Sequence, residues 1–317
     1  MKHLTFSNND QMPAFGLGTW KSAPGEVKTA VIQAIEMGYR HLDCAAIYAN
    51  EHEVGEGISV CIEKGTVTRE ELWVTSKLWN NAHQKNAARP ALEKTLKDLH
   101  LDYLDLYLVH WPVAFKPEVV MPENESGYLP LTEVPLEETW KAMQDLQAEG
   151  LTRHIGVSNF SKRKIESLVK MGGQIPEMNQ VELHPYLQQQ NLIDFCHQHS
   201  IHVTAYSPLG SMDRPAGMKK EGEPIPLEND VIKEIASSHD ASPAQVLIAW
   251  ALQRNTSVIP KSTNQKRLKE NFDAQKLTLG VEEMEQIKSQ EKAQRIVDGT
   301  FFTAESKGYN VGTLWDE

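Results

Sequence analysis

Four residues of the sequence could together perform acid–base chemistry: Asp43, Tyr48, Lys77 and His110. Three of them lie at the ends of short apolar segments, and Tyr48 follows Asp43 by five positions. A free tyrosine has a pKa of about 10, and a neighbouring ammonium lowers that pKa because it stabilises the phenolate. We therefore expect Lys77 to lower the pKa of Tyr48 and make it a better proton donor, with Asp43 keeping Lys77 protonated.

These side chains predict a reaction in which a carbonyl oxygen gains negative charge and is then protonated. Tyr48 would donate the proton, and His110 would hydrogen-bond the same oxygen. Two alternatives stay open. Lys77 and Asp43 could form an internal ion pair of purely structural value. Cys44 could be a nucleophile, but the adjacent Asp43 would raise its pKa, which favours a packing role. No HxH or HExxH spacing indicates a metal site here.

Reduction of a carbonyl to an alkoxide also needs a hydride, and therefore a cofactor. Side chains in three other apolar segments fit a nicotinamide. Ser158, Asn159 and Gln180 could hold its planar carboxamide. Tyr206 could stack on the nicotinamide ring. The sequence thus predicts a site for a redox cofactor beside the proton donor.

A basic cluster within residues 260–272, PKSTNQKRLKENF, begins a predicted helix in an otherwise acidic chain. Its members are Lys261, Lys266, Arg267 and Lys269. Helix amino termini bind phosphate, and the planar guanidinium of arginine suits a phosphate monoester. The alternative is a solvated helix face, and it applies more to Lys266 and Lys269 than to the other two.

Short apolar segments alternate with helical patterns along the chain, and eight such segments are present. They are FGLGTW (15–20), YRHLD (39–43), LWVTSK (72–77), LYLVHW (106–111), HIGVSN (154–159), MNQVEL (178–183), HVTAYS (202–207) and SVIPKS (257–262). Short segments with little alternation are typical of parallel strands buried on both faces. Eight strand–helix units predict a (β/α)8 TIM barrel, whose active site lies at the carboxyl ends of the strands.

A doubly wound sheet is the alternative fold. It is disfavoured because GLGTW carries only two of the three glycines of a dinucleotide-binding turn, and Trp20 stands where a helix should begin. Residues 3–15, HLTF to MPAF, predict a β-hairpin ahead of the first barrel strand, where it could cover one end. Between the strands, Val27, Val31 and Ile35 form an apolar helical stripe that ends near Gly38.

Composition limits the classes of function. The chain has 317 residues and a net charge of −11, with 40% hydrophobic residues. We expect one barrel domain over 1–317, long loops at the carboxyl face and a cytoplasmic protein without a membrane span. The acidic surface disfavours nucleic acid and anionic membranes. Three scattered cysteines predict neither a disulfide framework nor a zinc site.

The sequence resembles the aldo-keto reductases, close to their aldose and aldehyde reductase branch. The similar segments run nearly end to end: GLGTWKS, GYRHLDCAAIYANE, WVTSKLW, LDYLDLYLVHWP, IGVSNF, NQVELHPY, AYSPLGS, IPKS and RLKENF. The resemblance implies a barrel that binds NADPH without a Rossmann fold and reduces aldehydes or sugars, as a monomer. It implies a catalytic tetrad of Asp43, Tyr48, Lys77 and His110.

The resemblance also implies the residues that contact the ligands. Those expected at the nicotinamide and pyrophosphate are Thr19, Trp20, Lys21, Ser158, Asn159, Gln180, Tyr206, Ser207, Leu209, Ser211 and Asp213, with a Lys21–Asp213 latch. Lys261, Ser262 and Arg267 are expected at the 2′-phosphate, and Glu270 and Asn271 at the adenine. Trp20, Trp79, His110 and Trp111 are expected to contact the substrate.

Residues 112–135 and 296–317 depart from the resemblance, so the substrate is left open. Two rival functions remain: a protein of this fold that binds NADPH with little turnover, in a regulatory or structural role, and a barrel isomerase or hydrolase. The intact tetrad disfavours the first. The second lacks a carboxylate pair at useful spacing and a metal site.

Overall fold

The structure, a computed structural model, describes residues 2–317. Its strands are β1 (His3–Thr5), β2 (Gln11–Pro13), β3 (Leu17–Gly18), β4 (His41–Asp43), β5 (Trp73–Leu78), β6 (Leu104–Val109), β7 (Ala114–Phe115), β8 (Tyr128–Leu129), β9 (Thr152–Ser158), β10 (Met178–Glu182), β11 (His202–Tyr206) and β12 (Ser257–Val258). Eight of them form one parallel sheet in the order β12-β11-β10-β9-β6-β5-β4-β3. These are the eight predicted strands, which confirms the predicted fold class.

The sheet closes into a barrel between β12 and β3. Parallel bridges join Phe15 to Val258 and Gly18 to Lys261, and the amide of Gly18 donates to the carbonyl of Pro260 at 3.3 Å. A Cβ at Gly18 would lie 2.6 Å from the carbonyl oxygen of Ile259. Glycine is therefore required where the first and last strands meet.

Helices follow the barrel strands and cover the outside of the sheet. They are α1 (Glu26–Met37), α2 (Glu51–Glu63), α3 (Lys85–Leu99), α4 (Leu136–Ala148), α5 (Lys162–Lys170), α6 (Gln190–Gln198), α7 (Asp230–Ser238), α8 (Pro243–Gln253), α9 (Gln265–Asp273), α10 (Val281–Lys288) and α11 (Val311–Trp315). The predicted stripe of Val27, Val31 and Ile35 is buried on α1, which ends at Gly38 with φ 106°. No helix within residues 2–317 is both long and apolar enough to cross a membrane.

The two ends of the barrel are covered differently. At the amino end, β1 and β2 form the predicted hairpin, and Phe6 beside it packs on Trp73 and His154 at ring-centroid distances of 5.1 and 4.2 Å. At the carboxyl end, the β7–β8 hairpin and the tail from Ile296 onward pack together in an aromatic cluster separate from the main core. The side chains at the carboxyl ends of the strands are thus covered by residues 112–135 and 296–317, the two segments that depart from the resemblance.

Candidate active site

Asp43, Tyr48 and Lys77 meet at the carboxyl ends of β4 and β5. The Lys77 ammonium donates to Asp43 Oδ1 at 2.6 Å and to the Cys44 carbonyl at 2.8 Å, and it lies 3.4 Å from the Tyr48 hydroxyl. Lys77 is fully buried. The strand ends at Asp43, and a short 3-10 turn over Ala46–Tyr48 carries the phenol back above the lysine. The backbone thereby brings a carboxylate, an ammonium and a phenol into one hydrogen-bonded network.

The pKa values of this group follow from burial and charge. Burial alone would lower the pKa of Lys77, but the charges of Asp43 and Tyr48 raise it by more. The net pKa is raised, so the ammonium stays charged. Burial raises the pKa of Tyr48 to about 12, and Lys77 only partly offsets that rise. The sequence-based expectation that Tyr48 would have a lowered pKa is therefore wrong. Removal of the phenol from water outweighs the neighbouring cation.

His110 completes the predicted tetrad from the end of β6. Its ring lies 5.9 Å from the Tyr48 ring between centroids, in an edge-on arrangement. Burial, with the Lys77 charge and His83 nearby, holds the pKa of His110 well below its usual range. The imidazole is therefore neutral at physiological pH and can donate only one N–H.

Cys44 lies between Asp43 and the turn, and it is fully buried. Burial raises the pKa of its thiol far above the usual range, and the carboxylates of Glu51 and Asp43 act in the same direction. A thiol held protonated and out of solvent is a poor nucleophile. This agrees with the packing role predicted from the sequence.

Ser158, Asn159, Gln180 and Tyr206 form a connected hydrogen-bond network beside the tetrad. The Tyr206 hydroxyl donates to Asn159 Oδ1 at 2.7 Å, and the Asn159 amide donates to the carbonyl of His110 at 3.0 Å. Gln180 Nε2 donates to Asp43 Oδ2 at 2.7 Å, and the Ser158 hydroxyl donates to the carbonyl of Gln180 at 2.9 Å. Asn159 has φ 63°. Asparagine tolerates this left-handed conformation better than most residues, and here the hydrogen bonds at both ends of its side chain fix its position.

The predicted latch between Lys21 and Asp213 has a different form from the one expected. Lys21 Nζ donates to the backbone carbonyl of Asp213 at 2.8 Å. The Asp213 carboxylate instead pairs with Lys261 Nζ at 3.1 Å. Residues 207–213 are thus connected both to the end of β3 and to the segment after β12, and together these contacts cover one side of a cavity.

That cavity has a volume of about 610 Å³ and lies at the carboxyl end of the barrel. Most of the predicted site residues line it: Thr19, Trp20, Asp43, Tyr48, Trp79, His110, Trp111, Ser158, Asn159, Gln180, Tyr206, Ser207, Leu209, Ser211, Asp213, Lys261, Ser262 and Arg267. Lys77 lies behind the lining, in contact with Tyr48. Lys21, Glu270 and Asn271 are outside it. Across residues 2–317, no cluster of three or more His, Cys, Asp or Glu side chains could hold a metal ion.

Several lining residues were not identified from the sequence. They include the apolar residues Ile47, Met121, Met218, Val297, Phe301 and Phe302. Two of the segments that carry them, 112–135 and 296–317, are those that depart from the resemblance. Apolar residues in loops give no periodic signal, so only the fold shows that they reach the cavity.

Comparison with known proteins agrees with this geometry. Residues 13–292 match the aldo/keto reductase family. An aldo/keto reductase of Synechocystis sp. is 53% identical over 317 residues, which cover 100% of this chain and 97% of the relative. Mouse aldo-keto reductase family 1 member A1 is 46% identical over 289 residues, 90% of this chain and 88% of the relative. The aldose reductase structure from Schistosoma japonicum has a TM-score of 0.87 at 40% identity, covering 95% of this chain and 96% of that one.

The barrel and its strand-end side chains define the class: an oxidoreductase on an α/β barrel, of the kind that acts on carbonyl groups with a nicotinamide cofactor. The chain belongs to the aldo/keto reductase family.

Proposed function

We propose that this protein reduces aldehydes to alcohols with NADPH, and that ketones and open-chain sugars are further candidate substrates. One observation carries the proposal. The Tyr48 hydroxyl lies on the Lys77–Asp43 pair, beside a neutral His110, at the base of a cavity with an apolar outer wall. A carbonyl group placed there would meet a proton donor and a second N–H donor at its oxygen.

Tyr48 acts as the general acid. Because its pKa is about 12, the phenol is protonated at every physiological pH. When the carbonyl oxygen takes that proton, the phenolate left behind is stabilised by the Lys77 ammonium, 3.4 Å from the hydroxyl oxygen. Asp43 keeps that ammonium charged. His110 donates its one N–H to the same oxygen and, being neutral, loses no proton.

Reduced nicotinamide, when bound, supplies the hydride. Ser158, Asn159 and Gln180 would hold its carboxamide, and Tyr206 would support the ring. The 2′-phosphate would lie at the amino end of α9, near Lys261 and Arg267, where unpaired backbone N–H groups and two cations favour a phosphate. Both side chains line the cavity.

Substitution Tyr48→Phe tests the general acid. We expect aldehyde reduction, followed as loss of NADPH absorbance, to fall by about 10²–10⁴-fold because the proton donor is gone. NADPH affinity, measured by fluorescence titration, should stay within about twofold, since the ring remains. Full activity in this variant would contradict the assignment. Wild-type protein that binds NADPH but reduces no aldehyde would instead identify a binding protein of the same fold.

Substitution Arg267→Ala tests the cofactor. If the guanidinium binds the 2′-phosphate, its loss should lower the affinity for NADPH by about 10- to 100-fold and leave the affinity for NADH nearly unchanged. Lys266→Ala, one position earlier on α9, is the matched control. An unchanged preference for NADPH over NADH in the Arg267 variant would show that this residue does not select the cofactor.

A further inference from the structure

Residues 43–50 carry Tyr48, and the two halves of this segment are held differently. The first half follows β4 directly and is fixed to β5, because Lys77 donates to the carbonyl of Cys44 at 2.8 Å. The backbone amides of Tyr48 and Ala49 donate instead to carbonyls of the same turn. The position of the phenol therefore depends on how the second half of the segment is attached to the barrel.

The backbone of this second half is strained at Ala49, directly after Tyr48. Ala49 has φ 56° and ψ 26°, in the left-handed region that a Cβ disfavours. A non-glycine residue keeps such a conformation only where the surrounding structure imposes it. A contact from beyond the turn must therefore hold the chain here, and the next residue, Asn50, makes one.

Asn50 stands at the N-cap of α2 but does not cap the helix. An asparagine at this position usually accepts from a backbone amide of the first turn, yet this side chain makes no capping bond. Asn50 is only 6% exposed, and its Nδ2 donates instead to the carbonyl of Thr19 at 2.9 Å. Its Oδ1 is buried and accepts no hydrogen bond within residues 2–317. Helix capping therefore does not account for this side chain.

Thr19 connects both ends of the segment to the end of β3. Its hydroxyl and its amide both donate to the carbonyl of Asp43, at 2.8 and 3.1 Å. Asn50, at the other end of the segment, donates to the carbonyl of Thr19 itself. The segment is thus closed on one residue, with Tyr48 close to the end that Asn50 holds. A shift of Asn50 would move the phenol relative to Asp43.

We propose that Asn50 is a positioning residue for Tyr48: its bond to Thr19 holds the strained turn in the form that places the phenol on Lys77. The inference rests on the proposed reduction of aldehydes with Tyr48 as the acid. Asn50 is outside the cavity lining, so it acts through the phenol and not on substrate or cofactor. A displacement of about 1 Å can cost about 10²-fold in rate.

Substitution Asn50→Leu tests this role, since leucine has a similar shape but cannot donate. The kcat for benzaldehyde should fall by about 10- to 100-fold, while KM for benzaldehyde and Kd for NADPH stay within about twofold. The start of α2 should remain in place, because Glu51 accepts from Ser76 and Thr95. Asn50→Ser is a second variant: serine caps a helix well, but its hydroxyl lies one bond short of the amide nitrogen that reaches Thr19.

Asn229→Leu is the matched control. Asn229 caps α7 in the usual way, by accepting from the amide of Ile232 at 3.1 Å, and it is outside the cavity lining. Its replacement should lower the urea midpoint of unfolding and leave kcat unchanged.

Combination with Tyr48→Phe distinguishes positioning from a general structural role. If Asn50 acts through the phenol, Asn50→Leu should cost nothing further in the Tyr48→Phe background, whereas a general distortion would cost the same factor in both backgrounds. Single turnovers with enzyme in excess make the residual activity of Tyr48→Phe measurable. The solvent isotope effect on kcat is an independent readout. It should rise in Asn50→Leu, where proton transfer becomes slow, and stay unchanged in Asn229→Leu.

The outcomes separate the two proposals. If the wild-type protein reduces no aldehyde, or Tyr48→Phe keeps full activity, the proposed function fails and this inference fails with it. If Tyr48→Phe is impaired as expected but Asn50→Leu keeps the wild-type kcat, or loses the same factor in both backgrounds, only the positioning role is overturned. If Asn50→Leu does not fold, Asn50→Ser decides: a lowered kcat supports the role, and a wild-type kcat overturns it.

Discussion

Two lysine–aspartate pairs lie at the carboxyl end of the barrel. In the first, Lys77 and Asp43 are 2.6 Å apart, and their side chains are 0% and 2% exposed. In the second, Lys261 and Asp213 are 3.1 Å apart, and their side chains are 26% and 53% exposed. The first pair joins the ends of two adjacent strands, whereas the second joins a strand end to a loop. The same two residue types therefore serve in opposite environments.

The difference shows which interaction is permanent and which can be exchanged. Lys77 also donates to the Cys44 carbonyl, and Asp43 also accepts from Gln180. Separating the two side chains would therefore leave a buried charge without its counter-ion. The exposed pair has water as an alternative partner and contributes little to stability. Lys261 can consequently change partner from a carboxylate to a phosphate, while Lys77 remains fixed beneath Tyr48.

Breaking the buried pair should have the largest effect. Lys77→Met leaves the Asp43 carboxylate buried without a cation, which should lower the free energy of unfolding by about 3–5 kcal/mol, measured by urea denaturation. Aldehyde reduction should fall by about 10²–10⁴-fold, because the phenolate of Tyr48 loses its stabilising cation.

The double variant Asp43→Asn/Lys77→Met separates these two losses. It removes both charges, so most of the stability should return, while activity stays low because the cation is still missing. Recovery of activity together with stability would show that the pair acts only as a structural tie. That alternative was left open by the sequence.

The two lysines Lys21 and Lys77 should respond differently to pH. Burial lowers the pKa of Lys21 to about 8, although the nearby Asp213 carboxylate raises it in part. The pKa of Lys77 is raised instead. Lys21 thus loses its proton as pH rises past about 8 and no longer attracts the anionic cofactor. The Kd for NADPH should rise by up to about tenfold between pH 8 and 9. The rate at saturating NADPH should stay nearly flat over that interval.

Lys21→Arg is the control for that prediction, since arginine keeps its charge throughout this range. Fluorescence titration at several pH values should show tight binding with no rise in Kd. If the variant keeps the wild-type pH dependence, another group is responsible for it.

The buried part of the molecule could be predicted well from sequence because burial leaves a pattern. Short apolar segments marked all eight strands, and the polar residues at the ends of several of them pointed to the site. The capping box of α8 joins Ser242 to Gln245 and depends only on local spacing, so it too leaves a signal in the sequence. The neighbourhood of Asp43, Tyr48 and Lys77 followed from strand adjacency.

Features that depend on distances between loops could not be predicted. The direction of the Tyr48 pKa shift depends on how completely the phenol is removed from water, and a sequence does not state that. The true partner of the Asp213 carboxylate depends on the path of the loop that carries it. Met121 and Phe301 reach the cavity only because loop and tail pack on each other.

Substitution Asp213→Asn should have the smallest effect. It removes the carboxylate from Lys261 but keeps the backbone carbonyl that accepts from Lys21. The free energy of unfolding should change by less than about 1 kcal/mol, because the pair is partly exposed to water. NADPH should bind about two- to fivefold more tightly, since Lys261 no longer has a competing anion. Weaker binding, or a loss of stability close to that of Lys77→Met, would mean that the exposed pair is a fixed structural element and that the contrast between the two pairs is wrong.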